Sequence, residues 1–92
     1  MPDLSGISLY HTPFCPYCED VRSTARRLGL DLELRDINES SERRRELVTA
    51  TGRQSVPCLR IEREEGSVEW MHESEDIAAY LEERVGTRND AP

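Results

Sequence analysis

Three glycines divide this chain into segments. Gly29, Gly52 and Gly86 each follow a stretch that reads as helix, and glycine is the residue best suited to ending one. Before the first, Val21, Ala25 and Leu28 recur at helical spacing. Before the second runs a polar helix of about residues 40 to 50. Before the third, Ile77, Tyr80, Leu81 and Val85 form an apolar stripe; Ser74 caps it, and Glu75 and Asp76 lie in its electropositive first turn.

Four β-prone runs fill the intervals: "ISLYH" (7–11), "DLELRDI" (31–37), "SVPCLRIE" (55–62) and "VEWM" (68–71). Pro13 ends the first, Pro57 opens the third, and Leu32 and Leu34 share one face of the second. "REEGS" turns the third run into the fourth as a hairpin. The order is β-α-β-α-β-β-α. Two strand–helix–strand units imply parallel pairing among the early strands, and the hairpin is antiparallel. The fold class is therefore α/β, a four-stranded mixed sheet with helices on both faces. One domain covers residues 1–86, and residues 87–92 read as a flexible tail.

A chain of 92 residues makes a single domain with a core of its own. Its net charge of -7 argues against a nucleic-acid partner, because phosphate binding needs clustered positive charge. Arg43, Arg44 and Arg45 do cluster, yet Glu39, Glu42 and Glu46 interleave with them at helical spacing, as on a solvated helix face. All 12 basic residues are arginine, which suits a GC-rich genome or a high-salt cytoplasm. No run of 18 apolar residues suggests a membrane partner. The N-terminus has no basic or apolar leader pattern, so the expected location is the cytoplasm. Cysteine pairs there are catalytic or metal-binding more often than structural.

Cys15 and Cys18 stand two residues apart where the first helix begins. At a helix start, unpaired N–H groups and the helix dipole favour a sulfur in its anionic, nucleophilic form. Pro16 fits the first helical position, where its missing N–H costs nothing. Cys18 is one turn on and faces the core. The pair is asymmetric: Cys15 attacks, and Cys18 resolves the resulting mixed disulfide. A closed zinc site would need four ligands, and only Cys58, His11 and His72 remain, without a second paired motif.

"CPYC" (15–18) after a first strand, "TGRQSVP" (51–57) before a third and "ESEDI" (73–77) opening the last helix resemble the glutaredoxins of the thioredoxin fold. The resemblance covers about residues 6 to 85. The ending "MHESEDIAAYLEE" is closer to the glutathione transferase N-terminal domain and to transferase-like glutaredoxins. Ordinary members usually carry a Gly-Gly-x-Asp type of segment that is absent here. The resemblance implies glutathione-dependent thiol–disulfide exchange on glutathionylated or disulfide-containing proteins by a monomer. It further implies that no cofactor is bound and that glutathione or another γ-glutamyl thiol is the co-substrate.

The resemblance also implies site residues. Pro57 is cis beside the cysteines, and the backbone of Val56 pairs with the cysteine part of glutathione. Glu73 and Ser74 hold its γ-glutamyl end, Arg53 or Gln54 meets its glycine carboxylate, and Tyr17 sits at the rim. Two departures stand out: Thr12 where many glutaredoxins have lysine, and Cys58 directly after the cis-proline. Cys58 reads as a buried strand residue. Two alternatives remain open. One is a redoxin reduced by a thioredoxin-type reductase; the other is a non-catalytic module binding glutathione or an iron–sulfur cluster.

Overall fold

The computed structural model describes residues 6–89, and side chains as far as residue 84. The elements follow in the expected order: β1 (Ile7–His11), α1 (Pro16–Arg27), β2 (Glu33–Asp36), α2 (Ser41–Thr51), β3 (Cys58–Glu62), β4 (Val68–Met71) and α3 (Ser74–Asn89). The sheet order is β2-β1-β3-β4. β1 runs parallel to β2, with Leu9 opposite Leu34. β3 is antiparallel to β1, with Tyr10 opposite Cys58, and β4 is antiparallel to β3. Only the first strand–helix–strand unit therefore yields a parallel pair. After α2 the chain enters β3 from the opposite end, so the second unit places antiparallel neighbours at the centre.

Strand alternation divides the interior in two. Ile7, Leu9, Leu59 and Ile61 point to one face and pack with Val21 and Ala25 of α1 and Ile77 and Leu81 of α3. Tyr10 and Cys58 point to the other, where Leu47 of α2 and Ile37 cover them and Val56 and Trp70 pack alongside. Full burial of one such leucine is worth about 1.5–3 kcal/mol. The first cluster thus ties α1, which carries the cysteine motif, to the centre of the sheet.

Local signals explain the helix ends. Gly29 adopts a left-handed φ of +73° after α1. Its N–H donates to the Arg26 carbonyl and that of Leu30 to the Ala25 carbonyl, so both of these otherwise unpaired carbonyls are satisfied. The Ser40 hydroxyl accepts from the Arg43 N–H at the start of α2.

Three expectations need correction. Gly86 does not end the last helix: α3 continues to Asn89. Glycine inside a helix costs about 1 kcal/mol relative to alanine but does not forbid its continuation. Residues 87–89 of the supposed tail are helical, whereas residues 90–92 and the Val85 side chain lie outside what the structure describes. Ser74 is the first helical residue rather than the cap, because the Ile77 N–H donates to the carbonyl of Glu73 at 2.9 Å. Leu32 and Leu34 share one face, as expected, but only Leu32 is buried and Leu34 remains 47% exposed. β2 is an edge strand, and alternation does not reveal where the covering helix stops. No helix among the described residues is long and apolar enough to cross a membrane.

Candidate active site

β1 ends at His11, and the chain folds back at once. The Cys15 N–H donates to the Thr12 carbonyl at 3.4 Å, which closes a turn through Pro13 and Phe14. Cys15 is the N-cap of α1, with extended backbone, and Pro16 takes the first helical position. The Cys18 N–H donates to the Cys15 sulfur at 3.3 Å, so one of the orphan donors at the helix start is satisfied by that sulfur. This is the placement inferred from the motif. No such bond is made by Tyr17, whose ring is 64% exposed.

The two thiols differ sharply. Cys15 is half-exposed and Cys18 fully buried. Burial, and then the hydrogen bond with Cys15, push the Cys18 thiol up to about 12, so it is protonated at neutral pH.

From the other side, the Cys15 thiol makes a long hydrogen bond, 3.9 Å, to the Val56 carbonyl. The Val56–Pro57 peptide is cis. Beside it opens a groove of about 330 Å³. Tyr17, Arg53, Val56, Pro57, Glu73 and Ser74 line it together with Ser55 and His72. Six residues expected at the site thus converge from three regions of the chain. Gln54 is exposed and does not line the groove.

Local structure explains the convergence. Gly52, with a left-handed φ of +80°, ends α2. The Thr51 hydroxyl donates to the Leu47 carbonyl at 2.8 Å and accepts from the Arg53 N–H at 3.4 Å, and so helps hold the turn that brings Arg53 round. Glu73 and Ser74 meet the groove because α3 begins there, with its unpaired N–H groups nearby. The groove therefore offers a guanidinium, a carboxylate, a hydroxyl and a helix N-terminus.

Sequence reasoning gave no site role to several neighbours. Arg22, its side chain 13% exposed, reaches back from α1 beneath the cysteine turn. It donates to the Thr12 carbonyl at 3.2 Å and the Pro13 carbonyl at 3.3 Å, and lies 2.7 Å from Nδ1 of buried His11. Burial and the Arg22 charge lower the His11 pKa. A cation thus does stand behind Thr12, supplied by the helix rather than by the loop. Only the i, i+4 spacing from Cys18 hinted at it.

Cys58 is a fully buried strand residue, as expected, and burial pushes its thiol up to about 12. Its sulfur is 3.8 Å from Nε2 of His72. Burial and the Arg53 charge lower the His72 pKa, and His72 Nδ1 is buried without a partner among the described residues. No three His, Cys, Asp or Glu side chains among those residues group as a metal site requires.

The chain is similar to several known proteins. A glutathione transferase of Bombyx mori is 31% identical, with a TM-score of 0.65, over 92% of this chain and 38% of its own. A trimeric glutathione transferase of Leishmania is 26% identical, with a TM-score of 0.66, over 83% of this chain and 17% of its own. This chain therefore spans well under half the length of either transferase. A thioredoxin-like protein, 21% identical with a TM-score of 0.67, matches 89% of this chain and 96% of its own length, and shares the fold. No curated protein matches significantly. The sequence profile of the glutathione S-transferase N-terminal domain matches residues 9–89, and the chain belongs to that family.

Proposed function

We propose that the protein is a glutathione-dependent thiol–disulfide oxidoreductase of the glutaredoxin type. One observation carries this reading: a half-exposed sulfur at a helix N-cap adjoins a groove whose charges complement glutathione. Glu73 suits the γ-glutamyl ammonium, Ser74 and the start of α3 its carboxylate, and Arg53 the glycine carboxylate. The backbone of Val56 is left to align the cysteinyl unit.

In the forward step the Cys15 thiolate attacks the glutathione sulfur of a mixed disulfide. The Cys15–glutathione bond forms, the old S–S bond breaks, and the released thiolate takes a proton from water. A second glutathione thiolate then attacks the adduct, giving glutathione disulfide and free Cys15. The incoming glutathione sulfur is oxidised to the disulfide level as the substrate's sulfur is reduced to a thiol, so one disulfide is consumed and one is formed. Alternatively, Cys18 attacks Cys15 after losing its proton, and glutathione leaves. The buried, protonated Cys18 makes this the slower route at neutral pH.

Steady-state turnover of a small glutathione mixed disulfide, coupled to glutathione reductase, tests the assignment. Cys15→Ser should abolish turnover, and Cys18→Ser should retain it within a few-fold. Equal activities in the two variants would refute these roles. Turnover supported only by a thioredoxin-type reductase would move the protein to the redoxins. The family match favours a second reading, transfer of glutathione to an electrophile. Glutathione consumption with an activated aryl halide, and none with the mixed disulfide, would select it.

A further inference from the structure

Release of glutathione by Cys18 asks for an anion in the driest part of the site. Cys18 is fully buried, and its thiol must lose a proton before it attacks. Some group has to meet the charge that then appears. Arg22 stands one turn further along α1, at the i, i+4 spacing that puts two side chains on one helix face. Its own side chain is only 13% exposed.

The partners of this guanidinium are unusual for a charge so little exposed. Toward the cysteine turn it meets only dipoles: the Thr12 and Pro13 carbonyls and Nδ1 of His11. Arginine can only donate, so Nδ1 accepts, and burial with the Arg22 charge keeps the His11 ring neutral. Asp36, opposite His11 on β2, accepts instead from the N–H groups of Asn38 and Glu39. Among the described residues one carboxylate pairs with Arg22: Glu19, at 3.1 Å, half-exposed and shared with Arg26. Thr12 joins Arg22 to Cys18. Its carbonyl accepts from Arg22 at 3.2 Å, and its backbone hydrogen-bonds the Cys18 sulfur in the sense that favours the thiolate. Burial, and then the Cys15 hydrogen bond, keep Cys18 protonated; the Thr12 bond and the Arg22 charge work against them.

We propose that Arg22 is the positioning residue of the resolving step. From beneath the Thr12 turn it stabilises the Cys18 thiolate as that forms. It thereby sets how often the adduct is resolved within the chain rather than by a second glutathione. In the step itself the Cys18 proton passes to water and the Cys18 sulfur attacks that of Cys15. The Cys15–Cys18 bond forms, the Cys15–glutathione bond breaks, and glutathione leaves as a thiolate that takes up a proton. Cys18 is oxidised to the disulfide level and the glutathione sulfur is reduced. The inference rests on the thiol chemistry proposed above and adds to it the residue that selects between its two routes.

Two rates test it, both read by quenched-flow mass spectrometry after the reduced protein meets glutathione disulfide. The first is loss of the Cys15 adduct with no added thiol. The second, in the Cys18→Ser background, is its loss to added glutathione. Arg22→Gln should lower the ratio of the first rate to the second about tenfold, and should move the pH profile of the first to higher pH. Arg22→Lys, which keeps the charge, should hold the ratio within about threefold of the native value. Glu19→Gln, at an exposed position, removes the opposing carboxylate and should raise the ratio. An equal fall of both rates in Arg22→Gln, with the profile unmoved, would overturn the assignment and reduce Arg22 to a clamp on the turn. A tenfold fall in Arg22→Lys, or an unchanged ratio in Glu19→Gln, would overturn it too, and these two variants decide alone if Arg22→Gln does not fold. A native protein that forms no adduct on Cys15 would instead overturn the thiol chemistry on which the inference rests.

Discussion

The two faces of the sheet are held by different physics. Under α1 and α3 the interior is apolar except for His11, held against Arg22 at its edge, with Leu9, Leu59, Ile77 and Leu81 at zero exposure. Under α2 the apolar cluster is small, and a polar network closes it. The buried Tyr10 hydroxyl donates to Glu46 and accepts from Arg35, each at 2.8 Å, and Arg43 donates to both Glu46 oxygens at 3.1 Å. The arginine-rich helix face that the sequence suggested was merely solvated is thus partly structural. The reactive sulfur rides on α1, the helix fixed by dry packing. α2, fixed by charges, contributes to the site only through the loop that follows it.

Core truncations probe this contrast most strongly. Leu59→Ala, beneath α1 and α3, should lose about 2–5 kcal/mol in denaturant unfolding. Leu47→Ala, on the inner face of α2, should fall at the low end of that range, because the smaller cluster leaves more room to relax. A Leu47→Ala cost above that of Leu59→Ala would reverse the ranking of the faces.

High pH acts on both faces together. Burial raises Cys18 and Cys58 from 9.0 to about 12, so the folded state holds protons that the unfolded chain releases. Their contribution to stability is fully present below about pH 9. It should fade between pH 9 and 12, on the order of 1 kcal/mol per pH unit for each thiol. Cys58→Val should remove about half of that slope, read as the unfolding midpoint against pH. An unchanged slope would show that other groups set it.

The smallest effect should come from the polar network. Tyr10→Phe removes one hydroxyl while Glu46 keeps Arg43 and Arg35, so a loss of about 0.5–1.5 kcal/mol is expected. A loss rivalling that of Leu59→Ala would make the charged network the equal of the dry core.

Much of this molecule is legible in its sequence where the signal is local. β1 and β4 fall at their predicted residues, and Gly29 and Gly52 end helices because both take the left-handed backbone. The legible part of the site is likewise motif-bound: Cys15 and Cys18 at a helix start, Pro57 in cis, and Glu73 with Ser74 at another helix start. What local signals miss is tertiary. The exposure of Leu34 depends on where α1 stops covering the sheet. Gly86 sits in a helix that continues through it. Gln54 and Arg53 are adjacent and equally polar, yet only the turn after Gly52 decides which one meets the groove. The spacing of Arg22 from Cys18 only hints at its role, because that role depends on a loop ten residues earlier.

The graded exposure of the three thiols gives the protein an internal clock. A thiol-alkylating reagent meets Cys15 in the native state, but it reaches Cys58 only when the sheet parts from α2. With Cys15 and Cys18 replaced by serine, the rate of Cys58 modification would report how often, and at what energetic distance from the native state, that face opens. No foreign label would be needed to watch the weaker side of the molecule breathe.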